Sequence, residues 1–248
     1  MILFAQLSDT HLDGSQHRAD RFAAVMAYLN GMSRPPDAVL VTGDIAHHGL
    51  PREYEQARAI LASSPGPVFA CPGNHDVRAA FRTALLGEDG AGDPAAPVNR
   101  VHEAAGALFA LCDSTIPGRD DGRLAAETVG WLDGVLAERP GLPAFLCFHH
   151  PPLLSWPYRD ALRHSGEDPL AGLLARRPQV VAILCGHAHS PAATTFAGRP
   201  LLVAPGVVST LVVPWDQGPI ADEHAPPGVA LHVLDDEQRL TTHYRVVT

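Results

Sequence analysis

A chain of 248 residues suits one large α/β domain or two small ones and can bury a sizeable core. At 46% hydrophobic and 18% charged residues it has the composition of a globular protein rather than a disordered one. The formal charge is −9, and all 18 basic residues are scattered arginines, so lysine Schiff-base chemistry is excluded and broad nucleic-acid binding, which needs a basic stripe, is disfavoured.

Residues 2–7 read as a buried strand that ends at Ser8-Asp9-Thr10-His11. A helix is predicted over 19–32, where Phe22, Val25, Met26 and Leu29 recur at helical spacing as a core-packing stripe. Residues 38–41 form a second strand, ending at Thr42-Gly43-Asp44, and Pro51 opens a helix to about residue 62. A third strand, 68–71, leads through Pro72 into Gly73-Asn74-His75-Asp76, followed by a short helix over 77–86. Residues 87–98 are rich in Gly, Asp, Ala and Pro and read as a loop or flap.

A strand at 108–112 ends in Asp113-Ser114-Thr115, and a helix spans 125–138 with Leu132, Val135 and Leu136 inward. Gly130 and Gly134 weaken that helix by about 1 kcal/mol each. A strand at 144–148 meets His149-His150-Pro151-Pro152, and a short helix covers 168–176. The strand at 179–185 ends at Gly186-His187-Ala188-His189. Beyond residue 192, short strands at 192–196, 200–204, 207–213, 228–235 and 239–247 suggest a separate, partly antiparallel sheet.

Cys71, Cys112, Cys147 and Cys185 lie in apolar runs without a C-x-x-C pair and read as buried reduced thiols, which points to a cytoplasmic protein. The first seven residues carry no basic segment and are too short for a signal peptide. No apolar run approaches the roughly 18 residues of a membrane span.

Five strand ends thus carry metal-type side chains: Asp9 and His11; Asp44; Asn74 and His75; His149; His187 and His189. In extended chain, residues i and i+2 point to the same side, so Asp9-x-His11 and His187-x-His189 would each aim two groups at one place. Carboxylate, imidazole and amide without sulfur suit Mn, Fe, Zn, Co or Ni. Seven donors, leaving His75 aside, are too many for one tetrahedral ion and enough for two ions sharing an aspartate.

The ordered set D-x-H, G-D, G-N-H-D, H-H-P-P and G-H-A-H resembles the calcineurin-like metallophosphoesterase superfamily over nearly the whole chain. Gly43-Asp44-Ile45, residues 72–78, residues 113–118 and residues 148–152 resemble its class III cyclic-nucleotide phosphodiesterase branch, which includes glycerophosphodiesterases. The resemblance implies an α/β (α+β) fold: a four-layer αββα sandwich of two mixed β-sheets flanked by helices, as a single domain over 1–248. It implies two divalent or mixed-valence transition-metal ions. One would be held by Asp9, His11, Asp44 and His189, the other by Asp44, Asn74, His149 and His187, with Asp44 bridging. A hydroxide between the ions would attack phosphorus in line, and His75 would stabilise or protonate the leaving oxygen.

The expected substrate is a small phosphodiester, first a 3′,5′-cyclic nucleotide and alternatively a glycerophosphodiester. A nuclease is disfavoured by the charge, and a non-catalytic scaffold by the full set of ligands and His75. Homo-oligomerisation stays open. His75 alternatively orients Asp9 or a water; His150 is expected to be structural, and Asp76 to brace its own loop. Asp113 is expected to be a supporting carboxylate. His47 and His48 depart from this branch, where Asn or Asp is common near position 47; a histidine there either faces substrate or caps the loop. Trp156 reads as an apolar wall for a base or alcohol, or as packing. His17, His102, His164, His224, His232 and His243 carry no motif.

Overall fold

The computed structural model describes residues 1–90, 93–152, 167–213, 215, 217 and 220–248. In chain order the elements are β1 (Ile2–Leu7), α1 (Gln16–Asn30), β2 (Ala38–Thr42), α2 (Pro51–Leu61), β3 (Val68–Cys71) and α3 (Arg78–Ala80), which continues as a π-helical turn, Phe81–Leu85. Then come β4 (Arg100–Ala104), β5 (Ala107–Leu111), α4 (Ala126–Glu138), β6 (Ala144–Cys147), α5 (Glu167–Arg176) and β7 (Val180–Cys185). The chain closes with β8 (Ala192–Phe196), β9 (Arg199–Val203), β10 (Thr210–Leu211), β11 (Ala221–Asp222), β12 (Gly228–Leu234) and β13 (Leu240–Val246).

Strand alternation divides the apolar residues into layers. Leu3, Ala5 and Leu7 of β1 face α1 and α2, packing on Phe22, Met26 and Tyr54. Ile2 and Phe4 face the other way, into a core shared with Phe109, Phe145 and Leu184 of the second sheet. There Phe4 meets Phe109 and Phe145 edge-on, at ring centroid distances of 5.1 and 4.7 Å. The outer face of the second sheet buries Leu108 and Leu146 against Leu132, Leu136, Leu170 and Leu173 of α4 and α5. The layers are therefore helix, sheet, sheet, helix, as expected, and the mixed strand orders are β13-β12-β1-β2-β3 and β4-β5-β6-β7-β9-β8.

The separate C-terminal sheet expected beyond residue 192 does not exist among the described residues. β8 and β9 extend the second sheet beyond β7, while β12 and β13 extend the first beside β1. The reason is edge pairing: β12 runs antiparallel to β1, covering backbone groups that would otherwise be exposed. Only β10 and β11 make a ribbon of their own. The strand predicted over 207–213 shrinks because Val207 and Val208 donate their N–H groups to the carbonyls of Ser8 and Asp9, each at 3.0 Å. α1 starts earlier than predicted because Ser15 caps it, its hydroxyl accepting the Arg18 N–H.

One buried polar chain links the sheets. Gln6 donates its amide to Thr42 Oγ1 (3.0 Å) and to the Cys185 carbonyl (2.9 Å), so its oxygen accepts from His232 Nε2 (3.0 Å). His232 Nδ1 then accepts from the Thr242 hydroxyl at 2.8 Å. Burial pushes the His232 imidazole from 6.5 down to about 3. Below pH 6.5 the unfolded chain takes up a proton that folded His232 refuses until about pH 3. Stability is lost as pH falls across that window, by about 1.4 kcal/mol per pH unit from this residue. Urea unfolding at pH 7.5 and 5 should show a shallower pH dependence for His232→Gln than for the wild type. Equal pH dependence would remove the histidine from the account.

Candidate metal centre

Loops leaving the carboxyl ends of β1, β2, β3, β6 and β7 bring all eight predicted residues together. Strand alternation is not how the pairs converge. Asp9 (φ 57°), His11 (φ 43°), Asp44 (φ 51°), His187 (φ 69°) and His189 (φ 53°) all adopt the left-handed region. Non-glycine residues there cost about 1–3 kcal/mol each, so surrounding contacts must impose the conformation. They do: the Asp9 N–H donates to the Gly43 carbonyl (3.1 Å), His11 to Asp44 (2.9 Å) and Leu12 to Ile45 (2.8 Å), zipping the first loop onto the second. Gly43 (φ 90°) makes room for an imidazole, since a Cβ there would lie 2.4 Å from His149 Nδ1. Gly73 is needed for close approach, because its Cβ would fall 2.2 Å from Asp44 Oδ1.

Each aspartate is held by one oxygen and offers the other. The His75 N–H donates to Asp44 Oδ1 (2.9 Å), leaving Oδ2 between His11 Nε2 (3.4 Å) and His149 Nε2 (3.3 Å). The His187 N–H donates to Asp9 Oδ2 (3.1 Å), and Asp9 Oδ1 lies 3.5 Å from His189 Nε2. The imidazoles are oriented in the same manner. His149 Nδ1 donates to the Thr42 carbonyl (2.8 Å), so Nε2 is the nitrogen turned to the cleft. His189 Nδ1 pairs with the Ser209 hydroxyl (2.8 Å), and His75 Nδ1 donates to the His47 carbonyl (2.8 Å).

The inward atoms are nearly all acceptors. His149 Nε2 faces Asn74 Oδ1 and His187 Nδ1, each at 3.1 Å, and His11 Nε2 faces His189 Nε2 at 3.2 Å. Asp9 Oδ1 is buried without a hydrogen-bond partner. Lone pairs aimed at one another repel unless a cation lies between them, so the donor set fits metal ions. Groups Asp9–His11–His189 and Asp9–Asp44–His149 each place their donor atoms within 4.8 Å of one another.

The buried carboxylates and imidazoles shift one another strongly. Burial disfavours the Asp44 anion, but His149 and His11 outweigh burial and hold its carboxyl well below the usual range. Burial likewise opposes a charged His149, yet Asp44 and Asp9 push it up to about 9. Burial raises Asp9 and lowers His11 and His187.

The surrounding residues take varied places. His47 presents Nδ1 to His11 Nδ1 (3.3 Å) and stacks on His75 (centroids 5.1 Å, 17° between planes), while His48 pairs with Glu53 at 2.8 Å. His150 is buried with Nδ1 2.8 Å from Ser114 Oγ. Asp113 accepts from Arg78, Val98 and Thr115, the supporting role expected of it. Asp76 does more than brace its own loop: it accepts the N–H groups of Gly73 (2.9 Å), Ile45 (3.2 Å) and Ala46 (3.0 Å), joining the β2 and β3 loops. Trp156 and His164 lie outside the described residues. Sequence reading missed Thr42 and Ser209 as props for His149 and His189; Ser209 carries no local signal, because its contact exists only once β7 and the 205–209 segment meet.

A model of calcineurin-like phosphoesterases matches residues 2–191, and the chain belongs to that family. It is 33% identical over 250 residues to glycerophosphodiester phosphodiesterase GpdQ of Enterobacter lignolyticus, covering 96% of this chain and 88% of the relative. It is 32% identical over 210 residues to the 3′,5′-cyclic adenosine monophosphate phosphodiesterase CpdA of Escherichia coli, covering 81% of this chain and 74% of the relative. A dimetal phosphatase from Danio rerio shares the fold with a TM-score of 0.75 at 15% identity, over 100% of this chain and 96% of that one. The class is thus a calcineurin-like metallophosphoesterase, with clustered His and Asp donors that could hold metal ions.

Asp76→Ala should lower the unfolding free energy by about 3 kcal/mol, because it strands three buried backbone N–H groups. Urea denaturation measures this, and a loss below about 0.5 kcal/mol, typical of an indifferent surface position, would contradict it.

Proposed function

We propose that the protein hydrolyses a small phosphodiester at this centre, with 3′,5′-cyclic nucleotides as substrates. The observation that carries the reading is Asp44 Oδ2, set almost equally from His11 Nε2 and His149 Nε2 while Oδ1 is tied to the backbone. In this assignment Asp9, His11, Asp44 and His189 hold one ion, and Asp44, Asn74, His149 and His187 hold the other. The pair, Mn, Fe, Zn or Co by donor chemistry, would supply charge to clamp phosphate oxygens and lower the pKa of water.

The chain's own groups do the rest. His75 is fixed by its Nδ1–H donation to the His47 carbonyl, so Nε2 is the nitrogen available to hold or deliver a proton at the leaving oxygen. Thr42 and Ser209 fix the donor faces of His149 and His189, and His47 lies against the remaining nitrogen of His11. Both sheets contribute loops, which supports residues 1–248 acting as one domain. The four free buried cysteines suit a reducing compartment such as the cytoplasm. Among the described residues no helix is long and apolar enough to cross a membrane. A glycerophosphodiester is the alternative substrate, favoured by the likeness to GpdQ along 88% of that enzyme.

Mn-loaded protein assayed on 3′,5′- and 2′,3′-cyclic nucleotides, a glycerophosphodiester, an activated aryl diester and matching monoesters tests the substrate. The expected order places 3′,5′-cyclic nucleotides first; far faster turnover of the glycerophosphodiester would establish the alternative. His75→Ala should slow turnover by about 10²–10⁴-fold with metal content unchanged, and undiminished activity on poor leaving groups would refute its role.

A further inference from the structure

Beside the candidate metal centre lies a cavity of about 520 Å³ that extends past the proposed ligands. Asn74 and His75 are among its lining residues, so it adjoins the group assigned to the leaving oxygen. Its walls are Val77, Ala79, Pro94, Ile116 and Pro117, and the volume falls in the roughly 300–1,000 Å³ range of small-molecule sites. Val77 packs one methyl over Gly49, yet its side chain is 48% exposed, an apolar surface at the wall.

Arg78, the one arginine among the described lining residues, is already committed. Arg78 Nε donates to buried Asp113 (2.7 Å), Nη2 to the Thr115 carbonyl (3.0 Å), and Nη1 to the Ala95 carbonyl. The guanidinium is thus a strut joining the 93–97 and 113–118 loops, paired with Asp113 and held by two carbonyls, which makes it a poor partner for a second phosphate or a carboxylate. Asp113 and Asp76 are likewise consumed by backbone N–H groups. Among the described lining residues an occupant gains chiefly from apolar contact, which favours a neutral one. Glycerol would leave the apolar walls in contact with hydroxyls, whereas a flat nucleobase would cover them.

Resting on the phosphodiesterase reading, we propose that this cavity is the base subsite. It takes the neutral nucleobase of a cyclic nucleotide, and Ile116 and Val77 are its specificity-determining walls. The subsite makes the enzyme prefer base-bearing diesters over glycerol-bearing ones.

The test uses the full-length, Mn-loaded protein with Ile116→Trp, which fills the cavity. Val77→Asp places a charge on the exposed wall and serves as a second variant, with circular dichroism and metal content verifying that each is folded and loaded. The ratio of kcat/KM for 3′,5′-cyclic AMP over that for a glycerophosphodiester should fall about tenfold in both variants, carried by KM for the nucleotide. An unchanged ratio in folded, loaded variants overturns the proposal. Adenosine, which lacks phosphate, probes the subsite without turnover. Its calorimetric affinity for the wild type should weaken about tenfold in each variant, and no adenosine binding to the wild type, or equal binding to all three, overturns the proposal. If the wild type proves to be a glycerophosphodiesterase in the substrate panel, the adenosine result still decides the subsite, so the two failures are distinguishable.

Discussion

Asp44 divides its carboxylate between two tasks. One oxygen receives the backbone N–H of His75, and the other stands between two imidazole nitrogens from opposite sheets, His11 after β1 and His149 after β6. That arrangement requires a left-handed backbone at Asp44, a glycine on its amino side to clear His149, and another at position 73 to let the β3 loop approach. The strain at Asp44 is held because Asp76 pins the following residues, Ile45 and Ala46, while accepting the Gly73 N–H. Moving any of these would separate the N-H-D loop from the aspartate it holds.

The consequence is a centre organised by backbone donors rather than by its own side chains. Asp9 repeats the device with the His187 N–H, and the imidazoles are turned inward by a carbonyl at Thr42 and a hydroxyl at Ser209. The inner core of Phe4, Phe109 and Phe145 keeps the two sheets in register beneath it, and the Gln6–His232 chain crosses the same interface with every polar atom paired. Rigid sheets beneath strained loops give ligands that are oriented before any ion arrives, which is what a site must do to hold two like charges close together.

Much of this was legible in the residues. The strand ends at Asp9, Asp44, Asn74, His149 and His187 were readable because apolar runs stop abruptly at polar groups, and the order of the motifs named the architecture. What was not legible depends on long-range pairing. β12 lies against β1 although they are at opposite ends of the chain, so the late strands looked like a sheet of their own. β4 was hidden by its half-exposed edge position beside a Gly- and Pro-rich loop. Spacing alone does not distinguish alternation from two left-handed residues flanking a third, so Asp9–His11 and His187–His189 look extended in the sequence. The bond from Ser209 to His189, and the contact of His47 with His11, exist only through tertiary packing.

The central claim is that Asp44 joins two ions into one unit. Electron paramagnetic resonance of the protein loaded with two manganese(II) ions per chain tests it most directly. The account predicts an exchange-coupled dinuclear spectrum whose coupling disappears in Asp44→Asn. Two independent, uncoupled manganese signals in the wild type would contradict it.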